Sequence, residues 1–420
     1  MPKPHREIIE PRAGVFFGWK VVAVAFVAAL FSWGLSFYGL GIYLVVLHAQ
    51  HGWPISLISF AITTYYVVAA GLIVFVGDAF DRFGPRAVVL TAMAALGLSV
   101  LALPALSNPW QLYAAFALMA LGWAGMGGAA ITAIIAPWFE HKRGLAVSLA
   151  LNGASAGGLV LVPLWTALIA TVGFASAALA IVAGMVALLG PLAVLWLPRG
   201  PHVLGLRPDG AAADTGAGRG PAASGAPLPR ARLLASARFW TIALPFALGL
   251  FAQVGFLTHQ IAYLAPRVGA AGAALAVSLT TLAAIAGRVG TGLVIDRVDR
   301  RRAAAANFFL QALAVAAMIA WPSPAVLYGA CVVFGLAVGN MITFPALIVQ
   351  DEYPREHFSR VVSLVLAINQ VTFAFGPGIV GWARDRTDSY TAGLLLCAAC
   401  EVVGGLVVMI RAERRMRRAR

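Results

Sequence analysis

Charge is scarce in this chain of 420 residues: Asp, Glu, Lys and Arg together make up 11% of it, against roughly 25% in a soluble domain. A shortage of that depth excludes an ordinary water-soluble enzyme. Hydrophobic residues make up 61% and the mean hydropathy is +0.88, more apolar surface than a globular core can hide, so lipid is the expected solvent. Acids are scarcer than bases, 16 against 30, for a net charge of +14. The excess does not mark a nucleic-acid binder, because the cations fall in short tracts between long apolar runs and not on one wet face. Cysteine is nearly absent: Cys331, Cys397 and Cys400 lie inside apolar stretches, too few and too scattered for a disulfide framework or a metal site. No cofactor is expected. Met1 to Arg12 hold charges and prolines but no short apolar segment before a small-residue cleavage site, so no removable signal peptide is expected.

A helix needs about 20 apolar residues to cross a bilayer. Cutting the sequence at charged residues, Gly and Pro leaves twelve apolar spans, beginning near Phe17, Ile55, Ala87, Gln111, Gly144, Gly173, Phe239, Ala271, Ala303, Val326, Val361 and Thr391. Arg199 to Arg238 interrupt the series, and the centre of that stretch, Ala211 to Arg230, is mostly Ala, Gly and Pro, the composition of an extended linker. The expected fold is an all-α integral membrane protein with twelve transmembrane helices in two six-helix repeats. Its parts are an N-terminal bundle (1–198), a cytoplasmic linker (199–238) and a C-terminal bundle with a basic tail (239–420).

The repeat is visible in the residues. Gly77-Asp78-Ala79-Phe80-Asp81-Arg82-Phe83-Gly84-Pro85-Arg86 follows span two, and Gly292 to Arg301, with Asp296 and Arg297, follows span eight. A single offset carries Gly77 onto Gly292 and Asp81 onto Asp296, and the same offset lays Ala146-Val147-Ser148-Leu149 on Val361-Val362-Ser363-Leu364. Two parallel repeats around a linker are a transporter architecture. Arg82, Arg86, Lys142, Arg143, Arg297, Arg300 to Arg302, Arg355, Arg360 and the tail Arg411 to Arg420 fall at alternate connections, with Arg267, Arg384 and Arg386 on the other side. Both termini and the linker are therefore expected in the cytoplasm, at a bacterial inner membrane, with the basic tail read first as a stop-transfer signal and second as a contact for anionic lipid.

Gly77, Asp81, Arg82, Gly84 and Arg86 resemble the signature of the major facilitator superfamily. Gly292, Asp296, Arg297 and Arg301 echo it, with Asp299 in place of the second glycine. The resemblance implies that this loop latches a cytoplasmic gate. Gly18-Trp19-Lys20-Val21-Val22, and Trp138 to Ala146 leading into Asn152-Gly153-Ala154-Ser155-Ala156-Gly157-Gly158, are similar to the two signatures of the monocarboxylate transporter family. Leu204 to Gly210 and Gly376-Pro377-Gly378 through Gly381-Trp382 to Asp385-Arg386 are similar to its bacterial branch near the oxalate:formate antiporters. The implied function is secondary transport of small carboxylates, coupled to protons or to exchange of another anion, by a chain working as a monomer. Gly153 and Gly157, four apart, suit two helices that approach closely.

An ionisable group inside a span is a functional candidate, because placing it at the bilayer centre costs about 2.5–3.5 kcal/mol. Arg288 lies eight residues before Asp296, about 12 Å inside the span by helical rise. It matches the arginine with which, by the resemblance, carboxylate carriers hold substrate, and its fork of donors suits a carboxylate. Ala284 stands where the animal members carry an acid, and Asn369 and Gln370 occupy the region where oxalate exchangers carry a lysine. One cation matches a monoanion better than a dianion. Neutral candidates for the pocket are Ser32, Ser36, Tyr38, Gln253, Asn340, Thr343, Asn369 and Gln370, with Trp33, Trp123, Tyr65 and Tyr66 as walls. Glu401, the one carboxylate in mid-span, and His259, toward the outer end of span seven, are the candidates for proton coupling. An efflux pump for amphipathic compounds is the competing function, against which the dearth of buried acids counts.

Overall fold

The computed structural model describes residues 16–210 and 229–410, without the side chains of Asp296 and Arg355. Met1 to Arg12, most of the Ala/Gly/Pro centre of the linker and the tail Arg411 to Arg420 lie outside the described residues. The described residues form helices and no strands. Before the linker these are α1 (Gly18–Ser36), α2 (Gly39–His51), α3 (Ile55–Ile73), α4 (Val76–Phe83), α5 (Pro85–Ala102), α6 (Pro109–Met126), α7 (Gly128–Ile135), α8 (Arg143–Ala156) and α9 (Val162–Trp196). After it come α10 (Arg230–Leu234), α11 (Ala237–Val294), α12 (Arg300–Ala320), α13 (Pro324–Val338), α14 (Phe344–Glu352), α15 (Arg355–Ala374), α16 (Gly376–Thr387) and α17 (Thr391–Val408).

Among the described residues nine helical stretches are long and apolar enough to cross a membrane, and Pro324–Val338 is a shorter apolar one. Two of the nine, Arg143–Trp196 with 54 residues and Ala237–Val294 with 58, would run about 80 Å or more if straight, far beyond the roughly 30 Å of hydrocarbon. Each breaks at a glycine, Gly173 (φ 80, ψ 168) and Gly269 (φ 76, ψ 166), where a Cβ is disfavoured. The duplication reappears here in the backbone: Gly173 and Asp388, matched by the repeat offset, both turn at positive φ.

Small residues set the helix crossings. A Cβ on Gly153 or Gly157 of the α8 end would run into the carbonyls of Phe26 and Leu30 on α1, so the sequence reading of this pair as a close approach holds. Gly255 of α11 meets Gly376 of α16 in the same way. Between α8 and α9 the chain widens into one π-helical turn, Gly157–Leu161, a local deformation common at functional sites.

The first residues after α9 fold back on the bundle. Asp209 donates its N–H to the Trp138 carbonyl at 2.9 Å, and its carboxylate accepts from the backbone N–H groups of Glu140 at 2.9 Å, His141 at 2.7 Å and Lys142 at 3.5 Å. Partial desolvation works against the charge, but the three backbone donors outweigh it and hold the carboxyl below its usual range. A depressed pKa makes the contact complete above the pKa of an unfolded Asp and lost only as pH falls through the folded value. Asp209→Ala is expected to free the 138–142 loop at neutral pH, seen as faster amide exchange there with little change in melting temperature.

Candidate functional site

Arg288 lies in the second limb of α11, beyond the break at Gly269. Gly339, after α13, makes room for its stem: a Cβ there would sit 2.7 Å from Arg288 Nε and 3.0 Å from Cγ. The guanidinium crosses to α8, where Nη2 donates to Ser155 Oγ at 3.0 Å. Nε is buried without a hydrogen-bond partner, and among the described residues no carboxylate pairs with this arginine. About two turns earlier on the same limb, Thr281 meets the Tyr38 hydroxyl, which also feels the charge of Arg288. A Cβ on Gly158 would lie 2.7 Å from Thr281 Oγ1 and 2.8 Å from the Tyr38 ring. Five elements therefore meet along this limb: the α1/α2 break, the end of α8, the π turn, the second limb of α11 and the end of α13.

The expected aromatic residues form a continuous wall beside it. Phe37 touches Tyr38 at 5.1 Å, Trp123 packs on Trp33 at 4.7 Å and on Tyr65 at 6.5 Å, and Tyr66 meets Phe373 of α15 at 5.2 Å. The polar candidates divide. Asn340 donates to Thr291 Oγ1 at 2.9 Å and Thr343 donates to the Asn340 carbonyl at 2.9 Å, so both tie helix ends together. Ser36 donates to the Ser32 carbonyl at 2.5 Å. By contrast Ser32 Oγ, Gln253 Oε1, both amide atoms of Asn369 and Gln370 Nε2 are buried without partners. None of Gln253, Asn369 and Gln370 is hydrogen-bonded to Arg288. Glu401 is 1% exposed with neither oxygen paired, on a helix that packs against α11, α12 and α16.

His259 belongs to a different place. Its Nε2 faces the Pro377 carbonyl at 3.0 Å and Ser59 Oγ at 3.4 Å, and its Nδ1 faces the Tyr390 hydroxyl at 3.4 Å. Next to it Asp385 Oδ2 accepts from the Ser56 N–H at 2.7 Å, so a carboxylate on α16 caps the start of α3 across the bundle. Gly378 N donates to Thr63 Oγ1 at 3.2 Å. These contacts seal the end opposite the Asp81 and Asp296 loops, the end where the sequence placed His259. Asp385→Ala is expected to weaken the seal by about 1 kcal/mol, a factor of roughly five in population. Spin labels at Gln50 and Ser389, in a background without the three cysteines, should then report more of the longer distance; an unchanged distribution would remove Asp385 from the seal.

The two loops at the other end differ from each other. In the first, Gly84 turns at φ 81, while Asp81, Arg82 and Arg86 are exposed and Gly77 has open space beside it. In the second, Asp299 sits at φ −64 and accepts from the Arg302 N–H at 3.0 Å, so an acid N-cap replaces the glycine turn and explains the departure from the signature. Gly292 and Arg297 are exposed. What the sequence reading missed is a pairing just inside α12: Arg301, 4% exposed, meets both oxygens of Glu352 at 2.5 and 3.0 Å. The echo of the signature pointed to Arg301, but nothing in the sequence pointed to Glu352.

Helices of membrane length around an unpaired cation, sealed at one end by contacts across the bundle, define a multi-pass membrane transporter. Residues 21–377 match the family model of the Major Facilitator Superfamily, and the chain belongs to that family. It is 28% identical over 425 aligned residues to monocarboxylate transporter 11 of Mus musculus, covering 94% of this chain and 87% of the relative. It is 30% identical over 148 residues to the uncharacterized MFS-type transporter YcxA of Bacillus subtilis (strain 168), spanning 36% of that relative's length. It is 34% identical over 113 residues to the multidrug resistance protein MdtH of Photorhabdus laumondii subsp. laumondii, covering 26% of this chain and 28% of the relative. Among solved structures, a bacterial homologue of the human lysosomal transporter Spinster superposes with a TM-score of 0.69 at 13% identity, covering 94% of this chain and 96% of that one. That likeness concerns the fold alone.

Proposed function

We propose that this protein is a secondary transporter of small monocarboxylates, of the lactate or pyruvate kind, working by alternating access as a monomer. Its twelve crossings would form two six-helix halves (1–198 and 239–420) joined by a cytoplasmic linker, in a bacterial inner membrane with both termini inside. The observation that carries the substrate class is Arg288, a partly buried cation whose Nε is buried without a partner and which, among the described residues, has no carboxylate beside it. A substrate carboxylate supplies the missing counter-charge, and a second carboxylate would have no cation to meet it. The Tyr38 hydroxyl can meet a hydroxyl or keto oxygen near the carboxylate, whereas Thr281, which donates to the Val277 carbonyl at 2.7 Å, can only accept. Ser32, Gln253, Asn369, Gln370 and Trp123 line the passage, Asn340 holds the Arg288 limb in place, and the loops of Asp81 and Asp296 latch the cytoplasmic gate.

Coupling is to protons or to exchange of a second anion. His259, in the outer seal, is the better placed of the two proton candidates, since Glu401 sits on peripheral α17. The test is uptake of labelled lactate, pyruvate and formate into proteoliposomes with and without an inward proton gradient. Accumulation of at least one acid supports the proposal. Failure of every acid, with extrusion of amphipathic dyes, would install the efflux reading that the partial similarity to a multidrug resistance protein also allows.

A further inference from the structure

Two grooves lie at the loop-bearing end, one under each copy of the signature loop. The first, of about 420 Å³, runs between α3, α4, α5 and α6. The second, of about 620 Å³, runs between the end of α11, α12 and the start of α14. They are one groove built twice: the repeat offset carries Val76, Ala79, Phe83 and Thr91 of the first onto Thr291, Val294, Val298 and Ala306 of the second. The decisive difference is at one matched position, where Ala87 of the first becomes Arg302 of the second.

That exchange gives the second groove a charged mouth and an apolar floor. Arg297 and Arg302 are both exposed at the mouth, and among the described residues neither guanidinium has a hydrogen bond or ion pair. Asp299, the acid beside them, is engaged in capping α12. Along α12, Arg302, Ala306 and Leu310 follow at four-residue spacing, so one helix face grades from cation to hydrocarbon. Val294 and Val298, 48% and 46% exposed, face the same space, and Phe344 closes it. A charged mouth at the membrane surface leading into an apolar slot is complementary to a lipid with an anionic head.

We propose that the second groove is a binding site for an anionic phospholipid, whose phosphate sits on Arg297 and Arg302 and whose acyl chain lies along Ala306 and Leu310. The first groove takes a chain without selecting the head. Lipid held here braces the α11 limb that carries Arg288, because Thr291 of the groove wall accepts the hydrogen bond from Asn340.

The test uses the full chain in detergent micelles, with phosphatidylglycerol, phosphatidylcholine or inorganic phosphate added, read by native mass spectrometry and by melting temperature. Phosphatidylglycerol is expected to be retained and to stabilise more than phosphatidylcholine, and Arg297→Gln/Arg302→Gln should lower its retention roughly tenfold or more. Ala306→Trp, which fills the slot without touching charge, should do the same, while Arg82→Gln/Arg86→Gln at the first loop should not. Three results overturn the proposal: an unchanged preference in the Arg297/Arg302 variant, an equal loss in the Arg82/Arg86 variant, which would mean diffuse surface charge, or full stabilisation by inorganic phosphate, which would mean a free anion.

Discussion

Arg288→Gln is expected to reduce uptake of every accepted acid by roughly 150- to 5000-fold, the rate equivalent of the about 3–5 kcal/mol lost when one partner of a buried ion pair is removed. The amide keeps hydrogen-bonding capacity and most of the volume, so the loss reports charge and not packing. Arg288→Lys separates charge from geometry. It restores the cation but not the planar fork, and it should recover only part of the rate, mainly through a higher KM. Ser155→Ala gives the complementary reading, since Ser155 Oγ is the acceptor that holds Nη2 at 3.0 Å. Losing that acceptor leaves the guanidinium with more freedom, so KM should rise while the charge requirement stays. Uptake by Arg288→Gln equal to that of the unmodified protein, for any acid, would falsify the assigned role. The same variant discriminates the efflux reading, under which dye extrusion has no need of a cation in the bundle.

Much of this arrangement was legible in the sequence, and the reasons are physical. Lipid as solvent forces long apolar runs, so helix positions follow from hydropathy and the family from the loop signature. The glycine pair Gly153 and Gly157 was readable because only small residues allow carbonyl contact between helices. Arg288 stands out in the sequence as a candidate because a cation inside an apolar run needs a reason. What could not be read is pairing across the bundle. Asp385 lies 329 residues from Ser56, the N–H that it caps, and no local pattern marks such a contact. Asn340 and Gln253 look alike in sequence, as polar residues in apolar runs, yet Asn340 is consumed by Thr291 whereas Gln253 Oε1 has no partner. Gly339 escaped notice for another reason, since a glycine that makes room for an arginine stem is indistinguishable from any other until the stem is seen.

Arg301→Ala is expected to be among the most destabilising single substitutions in the C-terminal helices, by about 3–5 kcal/mol. The guanidinium is 4% exposed and joins four helices. It pairs with Glu352 of α14, and from α12 it donates to Thr241 Oγ1 of α11 at 3.0 Å, to the Val408 carbonyl of α17 at 2.7 Å and to the Ile410 carbonyl at 3.1 Å. Those carbonyls end α17, where the helix dipole is negative and a cation is favourable. Alanine would strand all of these acceptors together with a carboxylate that is 23% exposed. Glu352→Gln should cost less, because Arg301 keeps its carbonyl partners and Arg238, which loses its ion pair with the carboxylate at 3.5 Å, keeps its hydrogen bond to the Glu352 backbone carbonyl. The double substitution should therefore fall short of the sum of the singles, the sign of a direct interaction. Melting curves of the four proteins in one detergent give the coupling; strict additivity would mean that Arg301 stabilises through the helix ends alone and that the ion pair contributes nothing.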